Sequence, residues 1–218
     1  MYNKSSGALS AFGEVFAEKF VFVQKEIKTM KKMAMLLAAA VMILTLFGCG
    51  GKEANQGAAK SQYADSLEIL NKVVEAYDEN DLFAMYGGDQ QNAVMDAPGK
   101  FDISKTEELD FTLGLPADQF SNIEDAASMV HLMNANTFTG AVYRLKEDVD
   151  LDAFTDSVKS NILAKQWICG QPDTLIIINV DGRYVITAYG QEQIMETFKN
   201  NALGALDGAQ VVTEAPTV

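Results

Sequence analysis

Hydrophobic positions between residues 62 and 125 predict two helices separated by a loop. Apolar side chains first recur at helical spacing, at Leu67, Leu70, Val74 and Tyr77. This pattern predicts an amphipathic helix over residues 64–79. Residues 81–99 show no sustained period and are predicted to form a loop. A capping box formed by Ser104 and Glu107 then predicts a short helix, which Gly114 ends.

Beyond Asp125 the pattern predicts strands and helices in a repeated order. The predicted strands cover residues 126–133, 137–145, 174–180 and 183–189. The first pair is followed by a helix that Asp150 caps, and the second pair by a helix over 191–203. Asp181-Gly182 between the last two strands is a strong hairpin signal. The sequence therefore predicts an α+β fold: an antiparallel four-stranded sheet from two ββα units, with helices packed on it, preceded by two helices.

Composition places one folded domain between two less regular segments. Residues 49–61 are small and polar and are predicted to form a flexible tether. The single α+β domain is predicted over residues 62–205. Residues 206–218 gain glycine and proline, which predicts a loose tail or at most one edge strand.

A secretory signal precedes the tether. Residues 30–48 contain two lysines followed by an uncharged stretch over residues 33–48, which is too short to span a bilayer as a helix. Leu46-Phe47-Gly48-Cys49 resembles the lipobox of bacterial lipoproteins. This resemblance implies cleavage before Cys49, a diacylglyceryl group on its sulfur and anchoring at the outer face of the cytoplasmic membrane. Residues 1–29 are then a misassigned start or a cytoplasmic extension.

The charge of the chain narrows the class of partner. The 218 residues contain 17 basic and 30 acidic side chains, and residues 1–48 hold 6 and 3 of these. The part after the signal therefore carries a formal charge of −16. Such a charge repels phosphates, which argues against nucleic-acid binding and leaves membrane attachment to the lipid alone. A protein or peptide partner is expected to be neutral or basic.

Few residues carry candidate chemistry, and each also has a structural interpretation. The chain contains no GxSxG, P-loop, GxGxxG or HExxH motif, and neither a metal site nor a cofactor is predicted. His131 shares a predicted strand face with apolar residues, either as a buried histidine or as a ligand-contacting group. Asn134 and Asn136 are either hairpin residues or amides presented to a ligand. Trp167 either packs at a corner or stacks on a ligand.

Cys169 is the one thiol that remains free once Cys49 is acylated, and it is either buried or reactive.

The leading hypothesis is a lipid-anchored binding or accessory domain without catalytic chemistry. The alternative is a thiol-dependent enzyme that uses Cys169 with His131 as its base. A third possibility is a structural surface protein without a small ligand.

Several strings carry a resemblance to a known family: Gly87-Gly88-Asp89, Asp96-Ala97-Pro98-Gly99, Asp125-Ala126-Ala127-Ser128, Met133-Asn134-Ala135-Asn136-Thr137-Phe138-Thr139, and Gln166-Trp167-Ile168-Cys169-Gly170 with Pro172-Asp173. The chain resembles secreted lipoproteins of Gram-positive anaerobes that are often labelled bacteriocin transport accessory proteins. The resemblance implies an extracytoplasmic domain whose segments around His131, Asn136 and Trp167 are the places to search for a site.

Overall fold

A computed structural model describes residues 61–133, 135–168 and 170–217. Its α-helices are α1 (Ser66–Glu75), α2 (Thr106–Leu113), α3 (Leu151–Ala164) and α4 (Glu192–Ala205), with a 3₁₀ helix at Ala117–Asn122. Its strands are β1 (Met85–Gly87), β2 (Val94–Met95), β3 (Gly99–Phe101), β4 (Ile123–His131), β5 (Phe138–Leu145), β6 (Thr174–Val180), β7 (Tyr184–Gly190) and β8 (Ala209–Pro216).

The strands form one antiparallel sheet in the order β2-β1-β4-β5-β7-β6-β8, and β3 pairs with β4 beside β1. The fold is therefore α+β, as predicted. The prediction of a four-stranded sheet was wrong, because the sheet has eight strands. Strands β1 and β2 lie within the segment predicted as a loop, and β3 starts at its end. In the predicted tail, β8 pairs with β6, which is the edge-strand alternative.

Helices cover both faces of the sheet. Helices α1 and α4 pack on one face, and α2 and α3 pack on the other. Strand β6 shows why both layers are needed, since its four consecutive apolar residues alternate between the faces. Ile176 and Ile178 belong to the first core, whereas Leu175 and Ile177 belong to the second. A strand that is apolar on both faces must be buried on both.

Two of the predicted helix starts can be compared with the structure. Asp150 caps α3 as predicted, since its carboxylate accepts a hydrogen bond from the Ala153 backbone N–H at 3.0 Å. The prediction of a capping box at Ser104 was wrong, because no side chain caps the start of helix α2. Helix α2 begins at Thr106, and the Ser104 hydroxyl donates instead to the Asp102 carboxylate at 2.7 Å. Such local side-chain bonds compete with helix capping at serine.

The first described residues lie beside the β6–β7 hairpin, at one end of the sheet. Asp181 and Gly182 both have positive φ, 52° and 74°, as the predicted two-residue turn requires. The Ser61 hydroxyl donates to the Asp181 carboxylate, and the Tyr184 hydroxyl donates to the Tyr63 carbonyl at 3.0 Å. The first described residues therefore lie at the hairpin end.

Candidate binding site

A cavity of about 570 Å³ lies at the end of the sheet opposite the β6–β7 hairpin. Val130 near the end of β4, Thr139 near the start of β5 and Tyr189 near the end of β7 line it. The Tyr184 end of β7 is at the hairpin, and the five steps to Tyr189 span roughly 17 Å at about 3.3 Å per residue. The cavity is thus separated from the start of the described chain by the length of the sheet.

Aromatic rings form much of the cavity wall. The Trp167 and Tyr189 rings lie 5.3 Å apart between centroids. The Tyr189 hydroxyl donates to the Thr112 carbonyl at 2.7 Å, and burial raises the pKa of this tyrosine, which keeps it a donor. Tyr86 on β1 also lines the wall, and burial raises its pKa as well. The wall therefore combines flat apolar surfaces with polar and charged side chains, among them Glu108 and Lys165, as ligand cavities do.

Lys165 joins the end of α2 to the segment that follows α3. Its Nζ donates to the Asp110 carbonyl at 2.9 Å and to the Phe111 carbonyl at 2.8 Å. The ammonium also lies 5.7 Å from the Trp167 ring centroid, within the range of a cation–π contact. Burial lowers the pKa of Lys165, whereas the nearby Asp110 charge opposes that shift. Lys165 therefore contacts both the Phe111 backbone and the Trp167 ring.

The loop between β1 and β2 is held by a buried carboxylate. Asp89 is 2 % exposed and accepts hydrogen bonds from the Gln91 and Asp102 backbone N–H groups and from the Asn92 side chain. Burial acts to raise the pKa of Asp89, but these hydrogen bonds outweigh it and keep the pKa below its usual value. The neighbouring Gln90 donates its backbone N–H to the Glu108 carboxylate at 3.0 Å.

The lip of the cavity is apolar and exposed. Ile168 is 96 % exposed, Phe111 is 85 % exposed and Met133 is 59 % exposed. Within the described part of the chain these are the three most exposed large hydrophobic side chains, and all three line this cavity. Apolar surface concentrated at one opening is typical of an interaction site.

The structure brings two of the predicted site residues to this cavity, namely His131 and Trp167. His131 is 8 % exposed and its ring stacks on Phe83 at 4.8 Å, so the buried interpretation holds although the residue also lines the cavity. Its Nδ1 accepts a hydrogen bond from the Met133 backbone N–H at 2.9 Å. Burial lowers the pKa of His131, which favours the neutral ring.

This arrangement gives no support to a thiol–imidazole pair. With Nδ1 accepting a hydrogen bond, the neutral ring carries its proton on Nε2 and has no free lone pair for a base. Ile168 and Gly170, the neighbours of Cys169, line the same cavity, but Cys169 itself lies outside the described residues.

The structure describes one of the two predicted asparagines. The Asn136 side chain is exposed, and the residue is not among those that line the cavity. Its backbone N–H donates to the Met133 carbonyl at 3.0 Å, which is the geometry of a turn. The backbone of Asn136 therefore belongs to a turn in this connection, and a role of its amide in ligand binding stays a prediction. Asn134 and the predicted lipidation site Cys49 lie outside the described residues.

Sequence reasoning missed Phe111, Glu108 and Lys165. One signal was present: Phe111 lies in the short helix between Leu109 and Leu113, which are both buried. A phenylalanine on the other side of such a helix has no core to enter. The places of Glu108 and Lys165 depend on contacts between distant segments, which periodicity does not contain.

Comparison with known proteins finds no family model, no curated protein and no solved structure that matches this chain. Within the described ranges, no group of three or more histidine, cysteine, aspartate or glutamate residues is placed to hold a metal ion. None of the helices described combines the length and the hydropathy needed to cross a bilayer.

Proposed function

We propose that this protein is an exported, lipid-anchored binding protein that captures a peptide segment at the outer face of the cytoplasmic membrane. The observation that carries the proposal is the cavity of about 570 Å³ with its exposed lip of Ile168, Phe111 and Met133. Burial of one large apolar side chain contributes about 1.5–3 kcal/mol, so an apolar residue of a ligand gains affinity there.

The cavity lies away from the point where the predicted tether joins the domain. The tether predicted over residues 49–61 joins the domain at Ser61, beside the β6–β7 hairpin. The cavity lies at the other end of the sheet. The point where the predicted tether joins the domain therefore does not obstruct the opening of the cavity.

The resemblance to secreted accessory lipoproteins supports a peptide as the ligand. On this proposal the protein assists the export or handling of a peptide, with no catalytic step of its own. The charge of −16 on the exported part favours a neutral or basic ligand over an acidic one.

The binding proposal is tested through Trp167, the single tryptophan of the chain. We expect its fluorescence to change when the full-length protein, in detergent micelles, is titrated with acetylated and amidated tryptophan-free peptides that contain one leucine. Replacement of Ile168 with serine is expected to weaken this binding about tenfold, because it removes apolar contact area from the lip.

Leu203→Ser is the matched control. Leu203 is 39 % exposed on α4 and does not line the cavity, so its replacement leaves peptide binding unchanged. Equal affinity of the wild type and Ile168→Ser for the peptides, or a fluorescence of Trp167 that no peptide alters, would contradict the proposal.

A further inference from the structure

A second cavity of about 520 Å³ adjoins the first at Phe111. It is an open depression lined by residues of α2, the 3₁₀ helix and α3. Phe111 and Lys165 line both cavities, and the Phe111 ring is 85 % exposed. Phe111 therefore forms a ridge between two neighbouring depressions on one surface of the domain.

The two depressions differ in chemistry. The first is walled by Trp167 and Tyr189 and has one carboxylate, that of Glu108, which accepts the Gln90 backbone N–H. The second is lined by two carboxylates, Glu107 and Asp110, together with Asn161. The Asp110 carboxylate accepts a hydrogen bond from the Asn161 side chain at 2.8 Å. No described residue forms an ion pair with either carboxylate within 4.0 Å. Both carboxylates thus retain capacity to accept hydrogen bonds from a cation.

Lys165 is the basic residue that lines the second cavity. Its Nζ already donates to the Asp110 and Phe111 carbonyl groups. Two of its three N–H donors are therefore engaged by the end of α2 and not by the carboxylate side chains. The negative side chains of Glu107 and Asp110 exceed the positive charge of this one lysine.

We infer that the two cavities form one groove for an extended basic segment of a partner peptide. An apolar side chain of the peptide enters the first cavity, its backbone crosses Phe111, and a lysine or arginine side chain lies against Glu107 and Asp110. This inference rests on the proposed function and names the class of its ligand.

The negative charge of the domain favours a basic peptide segment as the occupant of the groove. Residues 61–217 carry nine basic and 26 acidic side chains, a formal charge of −17. An acidic segment, or the anionic surface of a bilayer, is repelled by such a domain, whereas a basic segment is attracted. The exposed Phe111 ring also provides a face on which the stem of a lysine or the plane of an arginine can pack.

The test uses the full-length protein in detergent micelles and pairs of acetylated, amidated peptides. Each peptide contains one leucine, then one to three glycines, then either lysine or glutamate. We expect the best lysine peptide to bind about tenfold more tightly than its glutamate counterpart, because attraction is replaced by repulsion. Glu107→Gln is expected to reduce this ratio to about threefold. Glu196→Gln, an exposed replacement on α4 outside both cavities, leaves the ratio at its wild-type value.

The outcomes separate this inference from the proposed function. Equal binding of the lysine and glutamate peptides, still weakened by Ile168→Ser, overturns the basic groove and leaves the apolar site in place. A ratio that Glu107→Gln and Glu196→Gln change equally also overturns the groove, because the selectivity then comes from the overall charge. Failure of every peptide to bind overturns the proposed function together with this inference.

Discussion

Replacement of Phe138 with alanine is expected to lower the free energy of unfolding by about 4 kcal/mol. Phe138 is 1 % exposed at the start of β5. Its ring lies 5.3 Å from Phe83 and 5.2 Å from Phe198 between centroids, so it joins the loop before β1 to helix α4. Truncation removes these contacts and leaves a cavity between the sheet and the helix. Denaturant unfolding followed by circular dichroism measures the change.

Phe111→Ala provides the matched control, because both phenylalanines line the cavity but only one belongs to the core. Phe111 is 85 % exposed, so its truncation changes the free energy of unfolding by no more than about 0.5 kcal/mol. It is expected instead to weaken peptide binding. The assignment of core and lip is wrong if Phe111→Ala destabilises the domain as much as Phe138→Ala does.

Gly87→Ala is expected to have the second largest effect, a destabilisation of about 3 kcal/mol. A Cβ atom at Gly87 would lie 2.0 Å from the Gly99 nitrogen and 2.5 Å from the Ser128 carbonyl oxygen. Both obstacles are backbone atoms, where β1 and β3 meet beside β4. Relief of the clash requires these strands to separate, and denaturant unfolding measures the cost.

Gly204→Ala is the control for this substitution. No atom lies within 4 Å of a Cβ built at Gly204, which is in helix α4. Alanine favours the helix there and is expected to stabilise the protein by up to about 1 kcal/mol. A Gly87→Ala protein as stable as the wild type would show that the close approach of β1 and β3 is incorrect.

The parts of the fold that were predictable have local causes. The positive φ values of Asp181 and Gly182 and the cap at Asp150 each involve residues only a few positions apart. The long strands β4 to β7 carry enough apolar residues to be recognised from periodicity. By contrast, β2 has two residues, both exposed, and pairs only with β1. Such a strand forms because it pairs with β1, and its own two residues show no hydrophobic periodicity that would predict it.

The candidate site was predictable only in part, for the same reason. Trp167 and His131 attract attention as unusual residue types, and both line the cavity. Phe111 and Lys165 are common types, and they matter because α2 meets the segment after α3. The apolar lip of the cavity is a property of three distant segments, so no pattern within one segment predicts it.

The most direct test of the whole account is metabolic labelling of the producing cells with an alkyne fatty acid, followed by fractionation. Each of the two cysteines is replaced by serine in turn. We expect the wild type and Cys169→Ser to be labelled and recovered with the membrane, and Cys49→Ser to be unlabelled and absent from the anchored fraction. An unlabelled wild type recovered from the cytosol would contradict the account of an exported protein held by lipid on Cys49.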